Sequence, residues 1–221
     1  MVDYVTLMLV NAGAGFMILA FYLMAGAREE DQRKWAAALA VPGLISVATG
    51  LHMTFAWPLP GAYNMLFGEV SVMFGAVLVG LAWCAARGVS RVPVAIYAFF
   101  AGLVVLGLGG KIMELLPAKR VTQMPHVTAA GFLCSGVGGM LLAGALALRK
   151  TWLRAIAAFF LICAGVLWFA TGFVSYRVHL KMWTPTTAPR KAEAAQDRTD
   201  SPKVDMKGGD LPPPSSQPKT R

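Results

Sequence analysis

Six long stretches of this chain carry none of the charged residues that soluble proteins scatter over their surfaces. Asp, Glu, Lys and Arg are missing from Tyr4 to Ala27, Trp35 to Gly68, Val70 to Ala86, Val92 to Gly110, Val121 to Leu148 and Ala155 to Tyr176. A helix needs about 20 mostly apolar residues to cross a hydrocarbon layer ~30 Å thick. The second window is too long for one crossing, and the turn signal Trp57-Pro58-Leu59-Pro60-Gly61 breaks it. The third crossing then starts near Val70, or near Met65 if Glu69 is tolerated. The fifth starts near Val127, after Pro125. Lipid offers no external partner to a backbone N–H or C=O, so crossings of this kind must be helices. The expected fold class is all-α, an integral membrane bundle of six transmembrane helices with a disordered C-terminal tail. Composition agrees, with 57% hydrophobic and 14% charged residues, against roughly 45–50% and 25% in soluble domains.

Two regions are expected, a membrane domain at residues 1–183 and a tail at 184–221. The tail holds Pro185, Pro189, Pro202, Pro212, Pro213, Pro214 and Pro218 among mixed charges, with few apolar residues. Such a segment cannot bury enough apolar area to offset its ordering entropy.

The net charge of +9 reads as orientation rather than as a nucleic-acid surface. Loops one, three and five carry Arg28, Arg33 and Lys34, then Arg87 and Arg91, then Arg149, Lys150 and Arg154. Loop two carries no basic residue, and loop four carries Lys119 and Arg120. The positive-inside bias places the first set in the cytoplasm of a cell membrane, with both termini outside. Arg177, Lys181, Arg190 and Lys191 pull the other way and favour the inverted protein, its basic tail on anionic lipid. Asp3 and the absence of Lys or Arg before the first window mark a retained helix rather than a signal peptide.

Inside the helices most polar features have packing explanations. Gly131, Ser135, Gly139 and Ala143 recur every four residues, and Ala12 to Gly15 narrow the first helix. Small residues let helices approach where lipid gives no hydrophobic drive, so both sets are expected at contacts inside the bundle. Asn11 should bond across helices, and Pro42 should bend the second. Trp35, Trp57, Trp152 and Trp183 fall at helix ends and suit interfacial anchors, while Trp83 and Trp168 fit that role or simple packing. Cys84, Cys134 and Cys163 sit on three helices without a Cys-x-x-Cys pair and read as small core residues.

The candidate site is the set of ionisable residues near the loop-two and loop-four ends of the helices: His52, Glu69, Lys111, Glu114 and His126. Ionisable groups at membrane depth are costly and mark functional candidates. His52 and Glu69 are expected on the bundle-facing sides of their helices at one level. Lys111 and Glu114 are three apart and can pair with each other. Glu69 can be protonated, wet or paired with Lys111, His52 or His126. His, Glu and neighbouring Met also suit copper or zinc, and two histidines suit a single haem b. A quinone is a further alternative. No His-x-x-x-His or Glu-x-x-His spacing is present, so the expectation is no cofactor, with copper or a single haem b as alternatives. Walker, Gly-x-Gly-x-x-Gly and Gly-x-Ser-x-Gly motifs are absent from the sequence.

Tyr4-Val-Thr-Leu-Met-Leu-Val-Asn11, Gly50-Leu-His-Met53, Trp57-Pro-Leu-Pro-Gly-Ala-Tyr-Asn64, Phe67-Gly-Glu69 and Pro93-Val-Ala-Ile-Tyr-Ala-Phe-Phe100 stand in order along the chain. Together they resemble a prokaryotic family of multi-pass membrane proteins, the domain of unknown function DUF981, over roughly residues 4–175. The resemblance implies a membrane bundle and carries no activity. The expected function is a non-enzymatic membrane protein, an accessory subunit of a membrane complex. Its partners would be the bilayer and other membrane subunits, with no nucleic acid. The alternatives are a redox, metal or quinone protein and a small proton-coupled transporter using Glu69.

Overall fold

The computed structural model describes residues 4–59, 63–115 and 125–183. The tail beyond residue 183 lies outside them, as do loop four's Lys119 and Arg120. The helices are α1 (Tyr4–Met24), α2 (Lys34–Ala56), α3 (Val70–Arg87), α4 (Val92–Leu115), α5 (Pro125–Ala147) and α6 (Thr151–Trp183). All six spans are long and apolar enough to cross a membrane, and the protein is an all-α membrane bundle. The bundle is one compact unit through Lys181; of a second unit from Met182 onward, only the end of α6 is described.

At two boundaries the helices reach beyond the charge-free windows. A π-helical stretch, Asn64–Glu69, runs directly into α3, so the third crossing does extend back past Glu69. Asn64 is fully buried, accepts the Leu59 N–H and donates to the Leu59 carbonyl. That pair of bonds closes the chain after α2, which ends with Trp57 in the left-handed region at φ 45° ahead of Pro58. Finally, α6 has 33 residues and takes in Arg154, which the charge-free window assigned to a loop. A charge is tolerated in the first turn because that turn lies near the membrane surface, where an Arg head finds polar partners.

The helices close into a ring, and glycines set its contacts. A Cβ on Gly43 or Gly75 would collide with the facing helix of the α2/α3 pair, and one on Gly102 or Gly136 would do the same between α4 and α5. Gly80 faces Val94 across α3 and α4. On α5, Gly131 faces Trp168 and Gly138 faces Leu161 of α6; Gly13 of α1 lies against the backbone of Phe169 and completes the ring. The small residues of α1 and α5 are therefore contacts inside the bundle, as expected. Asn11 Nδ2 donates to the Pro42 carbonyl at 2.9 Å and to Ser46 Oγ at 2.9 Å, so the expected interhelical bond joins α1 to α2.

At the centre is an apolar cavity of about 80 Å³ between α1, α3, α4, α5 and α6. Phe16, Phe67, Phe74, Phe132 and Trp168 line it, with Ser71 and Ser135 as the hydroxyl groups on its wall. Ser135 Oγ accepts the Trp168 indole N–H at 3.0 Å and donates to the Gly131 carbonyl at 2.7 Å, so its donor is satisfied internally. Trp168 is a buried packing residue, whereas Trp57, Trp83 and Trp152 are exposed.

Candidate functional site

The five ionisable residues singled out in the sequence do not converge. Lys111 and Glu114 pair with each other at 2.8 Å, both exposed. His52, Glu69 and His126 are exposed as well. His52 packs edge-on against Tyr4, ring centroids 5.4 Å apart. The expectation that His52 and Glu69 face the bundle is overturned, and helix phase is the reason. The buried face of α2 runs through Leu39, Pro42, Gly43, Ser46, Gly50 and Met53, which leaves His52 beside that stripe. In the π stretch, Asn64, Leu66 and Gly68 are buried, and Glu69 follows on the other side. Among the described residues no three His, Cys, Asp or Glu side chains are grouped to hold a metal ion.

The opposite end, formed by loops one, three and five, is where polar side chains gather. Tyr22 of α1 is fully buried. Its hydroxyl donates to Gln32 Oε1 at 2.8 Å and accepts from Arg91 Nη1 at 2.9 Å. Arg91 Nη1 also reaches Gln32 Oε1 at 2.8 Å, and the guanidinium carbon lies 5.9 Å from the Tyr22 ring centroid. One arginine thus ties loop three to α1 and loop one. Arg28 Nη2 donates to Thr151 Oγ1 at 3.2 Å, which ties loop one to the start of α6. Arg154 Nε donates to the Ala145 carbonyl at 3.3 Å, which ties α6 to the last turn of α5. A cation is favourable there, because the last carbonyls of a helix carry partial negative charge.

Arg154 is the unusual member of this group. It is only 6% exposed, and among the described residues its Nη groups have no hydrogen-bond partner and no carboxylate at ion-pair distance. Arg28 meets Thr151 in the same first turn, and Arg149 precedes that helix start. The loop-one acids offset this positive charge only in part. Glu29 pairs with Lys34 at 2.8 Å and accepts the Trp35 indole N–H at 3.1 Å. The Lys34 ammonium hydrogen-bonded to Glu29 holds its carboxyl below the usual carboxylate range, with the Trp35 N–H adding to the effect. Asp31 accepts the backbone N–H of Arg33. Trp35, expected as a lipid anchor, instead packs against Tyr22 at 5.8 Å.

Between the three loops lies an open cleft of about 640 Å³, lined by Arg33, Arg91 and Arg149 together with Glu30 and Asp31. Arg149 is held with φ 53°, a left-handed conformation that costs a non-glycine residue about 1–2 kcal/mol. The chemistry available here is that of several guanidinium forks at one mouth, suited to an oxyanion.

Residues 1–182 match the family described as Protein of unknown function (DUF981). The chain belongs to the DUF981 family. The DUF981 match takes in all six helices except Trp183 at the end of α6, and leaves out the tail. No curated protein and no solved structure matches the chain.

Sequence reasoning passed over Tyr22, Gln32, Arg91 and Arg154. The arginines were absorbed by the orientation count, in which every basic residue is equivalent. The usable signal was Arg154 three residues after Thr151-Trp152, a helix start that encloses the charge rather than following it.

Proposed function

We propose that this protein is a non-enzymatic membrane protein, an accessory subunit that works through the basic cleft at its arginine-rich end, with that end in the cytoplasm. The observation that carries the reading is the cleft itself, where Arg33, Arg91 and Arg149 outnumber Glu30 and Asp31, with Arg154, 6% exposed and without a carboxylate at ion-pair distance among the described residues, on the adjoining first turn of α6. An excess of like charge destabilises the compact state through self-repulsion, so a negatively charged partner group is what this arrangement suits. The interior favours a binding role over a permease, because the cavity between the two ends is walled by apolar side chains. The exposure of His52, Glu69 and His126 lends no support to a redox or metal centre built on them.

Native mass spectrometry on the full chain, extracted from its own membranes inside a patch of surrounding lipid, tests the reading. The expected result is a second polypeptide at fixed stoichiometry, lost when Arg91 and Arg149 are both changed to Glu. The chain found alone, or a partner indifferent to those changes, would refute it.

A further inference from the structure

We infer that the arginine-rich end is a binding site for the phosphate of an anionic phospholipid, held by Arg91 and Arg149 on the wall of the cleft with Arg28 and Arg154 at the adjoining start of α6. The inference rests on the reading of that end as the working surface, and not on the presence of a protein partner.

Depth is the first reason. Arg28 is the last residue of the first span, and Arg154 lies in the first turn of the sixth, which starts at Thr151. Trp152 of the same turn is 62% exposed, and Trp83, one turn before the end of α3, is 58% exposed. Exposed tryptophans at helix ends mark the headgroup level. The guanidinium groups therefore stand at the level of lipid phosphates rather than out in the aqueous phase.

Geometry is the second reason. Every other tie at this end uses one guanidinium to clamp backbone or a neutral side chain, and leaves donors over. Arg28 spends Nη2 on Thr151, Arg91 spends Nη1 on Tyr22 and Gln32, and Arg154 spends Nε on Ala145. Among the described residues no buried side-chain nitrogen lacks a partner, so the Nη tips of Arg154 are the parts that reach the surface. A tetrahedral phosphate with free oxygens accepts from several forks at once, which one carboxylate cannot do as well. Of the carboxylates nearest in sequence, Glu29 is paired with Lys34, while Glu30 and Asp31 line the cleft and leave its arginines in excess.

Charge count is the third. Set against Glu30 and Asp31, the arginines of this end (Arg28, Arg33, Arg91, Arg149 and Arg154) leave a positive excess larger than the single charge of one phosphodiester, so a headgroup with two phosphodiesters should be held more tightly than one with a single phosphodiester. A zwitterionic headgroup should be held least, because its own cation meets the same arginines.

The test uses the purified full chain in nanodiscs of zwitterionic phospholipid, doped with phosphatidylglycerol or with cardiolipin. Native mass spectrometry reads the lipid retained, and thermal unfolding reads the stabilisation. Retention should follow the order cardiolipin, phosphatidylglycerol, zwitterionic lipid. Arg28→Gln and Arg154→Gln should each weaken anionic-lipid retention about tenfold, the loss of one charge-assisted contact. Because Arg154→Gln can fail to fold, Arg149→Gly is the second variant. Glycine relieves the left-handed strain at that position, so this variant should keep or raise its melting temperature and still lose anionic-lipid retention. A separate arm adds inorganic phosphate to chains in purely zwitterionic nanodiscs. Phosphate stabilising the chain at millimolar levels, with anionic lipid adding nothing, would move the site to a soluble anion and overturn the inference. Equal retention of anionic and zwitterionic lipid, or retention unchanged in Arg28→Gln and Arg149→Gly, would overturn it as well.

Discussion

Gly136→Ala should push α4 and α5 apart. A Cβ built on Gly136 would sit 2.6 Å from the backbone nitrogen of Leu106 and 2.8 Å from the Gly102 carbonyl oxygen, where ordinary contact begins at 3.4 Å. Both obstacles are backbone, so no side chain can swing aside. The two helices must separate by about 0.8 Å at this crossing. A gap of that size removes a quarter to a half of the dispersion well of each atom pair across it, each worth about 0.1–0.2 kcal/mol. Over roughly 30 such pairs the loss is about 1–3 kcal/mol, the usual range for overpacking a tight contact. Alanine's better helix propensity returns up to about 1 kcal/mol.

Gly107 and Gly110 on α4 supply the control, because a Cβ on either meets nothing within 4 Å. Gly110→Ala should be neutral or stabilise by up to about 1 kcal/mol. Reversible unfolding by SDS in mixed micelles, followed by near-ultraviolet circular dichroism, compares the two. Gly102→Ala should behave as Gly136→Ala does, since its Cβ would meet Gly136 O and Met140 N at 2.7 Å. The double variant should cost less than the sum, because both methyl groups open the same gap. Gly136→Ala within about 0.5 kcal/mol of Gly110→Ala would refute the reasoning, since differences that small are ordinary for sites without close contacts.

Three further outcomes are expected. Asn11→Leu should lower stability by about 0.6–1.7 kcal/mol in the same SDS titration, the range for interhelical polar contacts in membranes, and Ser46→Ala should add little to it because the two share one bond. Arg91→Ala should cost about 2–4 kcal/mol, because it removes a charged donor and leaves the fully buried Tyr22 hydroxyl with Gln32 as its one partner; hydrogen exchange in loop one should rise, and Arg91→Lys should restore only part, since one ammonium cannot reproduce the fork. The Glu29–Lys34 pair should respond to acid. With its folded value depressed by Lys34, Glu29 contributes stability that is present above the unfolded carboxylate value of about 4.3 and is lost as the pH falls through the folded value. The difference in melting temperature between Glu29→Gln and the parent should therefore be constant from pH 6 to 8, as an order-of-magnitude window, and vanish in acid. A difference that instead grew in acid would contradict the sign.

Membrane class, helix number and the helix-packing role of small residues were all legible in the chain. Windows without charge, read against the thickness of a bilayer, leave no other outcome than helices, and Gly131, Ser135 and Gly139 could only serve close packing. Asn11 was legible for the same reason, since a lone amide in an apolar helix must find a partner. The candidate site was not legible. His52 and Glu69 look like a pair when helix ends are compared by depth, but depth says nothing about rotation around the helix axis. That rotation is set by Gly43, Gly50 and Met53 on α2 and by the π stretch before α3, which shifts the phase of everything after it.

What the sequence by itself determined is what depends on composition along the chain: how many times it crosses, in which class of structure, and which positions are too polar to stay unpaired in lipid. What only the tertiary structure decided is which polar groups meet. Arg28, Arg91 and Arg154 lie on three segments separated by scores of residues, and each taken alone is an ordinary loop charge. Only the closure of the helix ring brings loops one, three and five to one mouth and buries Arg154 beside it. Burial and mutual repulsion are properties of distance in space, which falls off too sharply with packing geometry for residue spacing to report.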